Sequence, residues 1–135
     1  MNDIELKKYV GNRIKEERKK RSMSQKELGE KIGVKHNTIS SYENATNAPE
    51  QESLFKIAQA LNITVDELFP PFEKEVQGKQ EFERALQLAE NLNVKDIHLL
   101  KEMIEKALSL EADDREKFFD NIRFAVEFYK NNEKV

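Results

Sequence analysis

The chain has 135 residues, of which 36% are charged and 38% hydrophobic, a balance too apolar for general disorder and too charge-rich for thick cores. It contains no cysteine, which excludes disulfides, iron–sulfur clusters and thiolate zinc sites. The net charge of −3 divides unevenly, because residues 1–44 carry 11 Lys and Arg against 7 Asp and Glu (+4) while residues 71–135 carry 11 against 15 (−4), a division that fits a protein presenting one face to phosphates and keeping the other for protein contacts.

Helical periodicity starts at once. Ile4, Val10 and Ile14 recur at helical spacing and lead into a basic run ending at Arg21, which predicts a first helix. Ser24 and Glu27 form a capping box with Met23 and Leu28 at the staple positions, so a second helix starts at Ser24 and stops at Gly33, the residue best able to turn left-handed. A third begins near Lys35 and reaches about Asn44, with Ile39 and Tyr42 on its inner side. Pro49 suits the first turn of a fourth, whose Leu54, Ile57, Ala58 and Leu61 make an apolar stripe ending near Asn62. Thr64 and Glu67 are a second capping box, stapled by Ile63 and Leu68, and open a fifth short helix that closes before Pro70-Pro71.

Pro70-Pro71 and Gly78 bracket an expected linker, 71–79, between a head domain, 1–70, and a rear domain, 80–135. In the rear, Phe82, Ala85, Leu86, Ala89 and Leu92 define one helix, and Ile97, Leu100, Ile104 and Leu108 a second. A third starts at a capping box from Asp113 to Glu116 and carries Phe118, Ile122, Ala125 and Tyr129. No segment alternates with a period of two between hairpin turns, and only four glycines are present, so the expected fold is all-α. The opening residues lack the apolar core of a secretory signal, and no stretch approaches the ~20 apolar residues of a membrane span. A cytoplasmic protein without membrane attachment is expected.

Two short helices joined by a tight glycine turn, the second polar on its outer face, match the helix-turn-helix plan, in which the second helix enters the major groove of DNA. Residues Ile14 to Phe69 carry Ser24-Gln25, Leu28, Gly33-Val34, Thr38-Ile39-Ser40, Tyr42-Glu43-Asn44, Pro49, Leu54 to Leu61 and Leu68 in register. On these motifs the stretch resembles the Cro/CI-type helix-turn-helix family, also called the xenobiotic response element (XRE) family. The resemblance implies a five-helix, lambda-repressor-like DNA-binding head whose partner is a double-stranded operator.

It also implies roles for individual residues. Gln25 and Asn44 match positions that hold phosphates, and their amides suit anions at helix ends, where backbone donors are unsatisfied. Lys35 and Ser40 join this phosphate set, as does Arg13, which lies where the first helix nears the backbone in related proteins. His36, Asn37 and Ser41 match the base-reading positions; Asn can grip adenine with two hydrogen bonds, and His can donate to guanine. Arg18 and Glu43 match an ion pair between the first helix and the end of the third. Three departures stand out. Lys35 replaces the usual Ser or Thr cap, Gly29 replaces an alanine inside the second helix, and Ala45 replaces the glycine after Asn44, so each is expected to soften its helix slightly.

A single head contacts few base pairs, so proteins of this plan pair to bind two half-sites about one turn, ~34 Å, apart. Phe118, Phe119, Phe124, Phe128 and Tyr129 fall within twelve residues, more apolar surface than a small module easily buries, which marks the last helix as an interface. Phe118, Phe119, Ile122, Val126 and Tyr129 are its expected contacts in a homodimer. A different reading makes the chain an antitoxin or partner-controlled regulator whose rear helices clasp another protein. No enzyme, metal site or cofactor is expected, since the two histidines lie far apart and Ser109 is the only serine after Ser53, in a region without the strands that would hold a strained nucleophile.

Overall fold

Local capping sets where the helices begin and end. In the computed structural model, which describes residues 1–71 and 75–132 except for the side chains of 75–79, 112, 126 and 129–132, every element is helical. The order is α1 Asp3–Lys20, α2 Gln25–Ile32, α3 His36–Glu43, α4 Gln51–Leu61, a 3-10 turn Val65–Leu68, α5 Glu75–Leu88, α6 Val94–Leu108 and α7 Ala112–Asn132. The Asn2 side chain opens α1 by accepting from the Glu5 amide at 2.8 Å. At α2 the capping box closes in both directions, Glu27 N–H donating to Ser24 Oγ at 3.0 Å and Ser24 N–H to Glu27 Oε1 at 3.3 Å, and Gly33 ends the helix at φ +78°. A second such box, between Thr64 and Glu67, starts the 3-10 turn.

The chain divides into two compact units, residues 1–70 with 93–95, and residues 71–92 with 96–135. In the first, Leu6, Val10 and Ile14 of α1 join Leu28, Ile32, Ile39, Leu54, Ile57, Leu61 and Leu68 in one buried core. Ile4 does not follow them. It is 66% exposed, because the buried stripe of α1 runs through positions 6, 10 and 14 and residue 4 lies well off that line. Pro49 stands outside α4 rather than in its first turn; Glu50 is the extended cap residue, and its carbonyl accepts the first helical bond from Leu54 at 2.9 Å.

Two small-residue positions behave differently from each other. A Cβ at Gly29 would come within 2.6 Å of the Val34 carbonyl oxygen, so glycine is required where α2 meets the start of α3, and the expected softening is replaced by a packing need. Ala45, by contrast, sits at φ +61°, a conformation that costs an L-residue ~1–2 kcal/mol. Ala45→Gly removes that strain while loosening the unfolded chain, so a net gain of about 0.5–1 kcal/mol is expected in urea denaturation.

The second unit departs from the sequence expectation at its ends. α5 begins at Glu75, inside the stretch expected as linker, so Gly78 is helical; a lone glycine costs a helix only ~1 kcal/mol, which the continuing periodic pattern outweighs. Ala89 and Leu92 fall beyond its last residue, Leu88. α7 starts at Ala112, which puts Asp113 inside the first turn instead of ahead of it, and the Arg115 amide donates to the Glu111 carbonyl at 2.8 Å. α5 and α7 pack on each other, and Arg123 of α7 donates to Glu81 of α5 at 3.0 Å.

Candidate nucleic-acid interface

An eight-residue helix is too short to hold itself in water, so α3 depends on what its inner side touches. Ile39 is fully buried, Tyr42 half-buried, and Glu43 turns inward. Outward, His36, Asn37 and Asn44 are exposed and Ser40 and Ser41 half-buried, with spacings of three and four that set all five along one side. Lys35, exposed, is the cap residue, and its ammonium, which carries donors only, makes no capping bond to the α3 amides. Asn44 Nδ2 donates to Ser40 Oγ at 3.3 Å, so two of the expected phosphate ligands already touch.

Glu43 is where three helices meet. Arg18 grips it with two hydrogen bonds, Nε to Oε2 at 2.7 Å and Nη2 to Oε1 at 2.9 Å, and gives its third nitrogen to the Met23 carbonyl at 2.7 Å. The side chains are only 9% and 2% exposed, which makes this a buried, bidentate pair. Hydrogen bonding to Glu43 raises the Arg18 pKa beyond its ordinary value despite the opposing effect of burial, so the arginine stays charged. Gln25, at the first position of α2, donates to Glu43 Oε1 at 3.2 Å. The same carboxylate therefore ties α1, the start of α2 and the end of α3, a link to Gln25 that spacing alone did not reveal.

Arg13, expected among the phosphate ligands, is also tied to its own chain. Its Nε donates to the Glu67 carbonyl at 3.0 Å, and its two other nitrogens hold Glu16 and Glu17 at 2.9 Å each. Three of its five N–H donors are engaged inside the protein, so Arg13 is a strut from α1 to the 3-10 turn. The dimer set is divided as well. Phe118 is half-buried, but Phe119 and Ile122 are 7% and 8% exposed and belong to the interior, while Val126 and Tyr129 lie outside the described side chains.

A feature the sequence reading passed over is Glu17, whose buried carboxylate accepts from Arg13, Lys20 and Arg21, all at helical spacings of three or four. The hydrogen bond from Arg21 is the largest influence; burial opposes it, Lys20 and Arg13 assist, and the pKa falls from 4.5 to about 2. A depressed carboxylate stabilises the fold above its unfolded value and loses that contribution as pH drops through the folded one. Such a shift is worth at most ~3 kcal/mol, reduced to about 1–2 kcal/mol by the water around Lys20 and Arg21. Glu17→Gln is therefore expected to be less stable than the natural chain near neutrality by about that amount, with the gap closing between about pH 5 and pH 2 in urea titrations.

Among the described residues no helix is long and apolar enough to cross a membrane. A helix-turn-helix family model matches residues 14–68, the span of the core that carries α2 and α3. The transcriptional repressor RstR of the cryptic phage CTXphi in Vibrio cholerae is 30% identical over 101 residues, covering 75% of this chain and 81% of that protein. ImmR, an HTH-type transcriptional regulator of Bacillus subtilis, is 36% identical over 59 residues, 44% of this chain; the chain spans about half of that relative, 46% of its length. Among solved structures, the P22 c2 repressor in complex with a synthetic operator is 35% identical, with coverage of 44% of this chain and 91% of that one and a TM-score of 0.43. With its capped helix pair, its buried Arg18–Glu43 tie and a relative matched over most of both chains, the chain belongs to the Cro/CI-type, or XRE, family of helix-turn-helix transcriptional regulators.

Proposed function

We propose that the protein is a dimeric repressor that reads its operator in the major groove with α3. The observation that carries this reading is the outward row on that helix: His36 and Asn37 exposed, Ser41 half-buried, and the far end of the helix anchored through Glu43. A major groove ~12 Å wide admits one helix, and three polar side chains along one edge can meet successive base edges. Gln25, Lys35, Ser40 and Asn44 flank that row and supply the backbone contacts that set its register. The likeness to a phage repressor over most of both chains supports repression as the outcome of binding.

Selection of bound duplexes from a random pool tests the reading directly: two similar half-sites about one helical turn apart are expected, and failure to enrich any sequence in dilute buffer would overturn it. Lys35 offers a narrower check. If its ammonium replaces a counterion on one phosphate, Lys35→Ala lowers the slope of log affinity against log salt by about one unit. An unchanged slope removes it from the phosphate set.

A further inference from the structure

Gly11 sits in the middle of α1, a place where glycine is a poor choice, since after proline it is the weakest helix former. Its backbone is ordinary helix, so conformation does not explain it. Packing does. A Cβ on Gly11 would meet the Tyr42 carbonyl oxygen at 2.4 Å and the Glu43 carbonyl oxygen at 2.9 Å, whereas ordinary van der Waals contact begins at 3.4 Å. The backbone of α1 therefore lies against the last two residues of α3 more closely than any side chain allows.

Both obstacles are main chain, which cannot step aside as the tip of a side chain can. The Tyr42 carbonyl already accepts from the Ala45 amide at 3.2 Å, and Ile39, one turn before Glu43, is fully buried. Room for a methyl group comes only from moving the end of α3 off α1 by about 1 Å. Arg18 follows Gly11 by two helical turns and so stands on the same side of α1. Its bonds to Glu43 are 2.7 and 2.9 Å long, and the same displacement would carry both out of hydrogen-bonding range. Asn44 moves with that end of the helix. A binding constellation tolerates a misplacement of only about 0.5 Å. We infer that Gly11 is a positioning residue for DNA recognition: by lacking a side chain it sets the separation of α1 and α3 at which Arg18 holds Glu43 and the row on α3 meets the bases. The inference rests on the reading of α3 proposed above and adds to it a buried residue of another helix.

The test uses the full chain and two duplexes, one enriched from a random pool by the natural protein and one of equal length and scrambled sequence. Gly11→Ala lowers affinity for the enriched duplex at least ~10-fold and leaves the scrambled one within about twofold, because attraction to phosphates at large survives a shift of this size. In NMR spectra without DNA, the Arg18 Nε–H signal moves and exchanges faster with water. Partial unfolding lowers both affinities by one factor, so their ratio separates positioning from stability. Arg18→Lys probes the same link without touching the glycine: it keeps the charge, loses the two-pronged grip and lowers the ratio at least ~3-fold. A folded Gly11→Ala chain whose ratio or Arg18 signal matches the natural one overturns the inference, as does an Arg18→Lys chain with the natural ratio. So does a Gly11→Ala chain that stays unfolded even in an excluded osmolyte, for the glycine then serves the fold at large. Those three results leave the DNA reading of α3 standing. A natural chain that prefers no duplex overturns that reading first, and the role of Gly11 with it.

Discussion

Glu43→Ala is expected to destabilise the head by about 3–5 kcal/mol, because it strands the Arg18 guanidinium, 9% exposed, without its carboxylate. Domains of this size hold only ~5–15 kcal/mol of stability, so the variant loses a large share of it and α3 is held less firmly for DNA binding. The expected signature is a fall in the urea midpoint with little change in slope. Replacing both partners with apolar residues, Arg18→Met with Glu43→Leu, should restore most of the stability, since no charge is then left buried. The double variant still lacks the acceptor for Gln25, whose amide donates to Glu43 at 3.2 Å. Its DNA affinity should therefore recover less than its fold, and full recovery of both would show that the carboxylate does nothing for Gln25.

Asn37→Ala should cost roughly 1–3 kcal/mol on the cognate duplex, about 5- to 150-fold in affinity, and far less on random DNA. The side chain is exposed near the start of α3 and contributes nothing to the core, so the fold should be unaffected. That separation between stability and selectivity distinguishes it from Glu43. Titrations of both duplexes at one salt concentration check the prediction, because the backbone contribution varies steeply with salt and would otherwise mask the difference. An equal loss on the two duplexes reassigns Asn37 to the phosphate backbone.

The Arg18–Glu43 pair shows how far a resemblance carried the reading and where it stopped. That the two residues oppose each other followed from their places in the motif; that the pair is nearly dry, and that Gln25 shares the carboxylate, required three helices to converge on one point. Glu17 was legible in principle, since Arg13, Lys20 and Arg21 stand four before, three after and four after it on the same helix. Its burial was not, because spacing along one helix does not say which of its sides will be covered. Gly29 marks the same boundary: the helix propensity of glycine argues for a weak point, and the nearness of the Val34 carbonyl turns it into a requirement.

From the sequence by itself came the bounds of α2 and α3 and the outward row on α3. A cap is satisfied within four residues, and the face that keeps its polar side chains announces itself by period. Only the tertiary structure decided that Arg13 braces Glu67, that Ile4 stays in water, and that Phe119 and Ile122 go inside while Phe124 remains exposed. Each of those outcomes depends on which distant element packs over a given side of a helix, and apolar spacing along the chain names the candidate sides without saying which of them another element will cover.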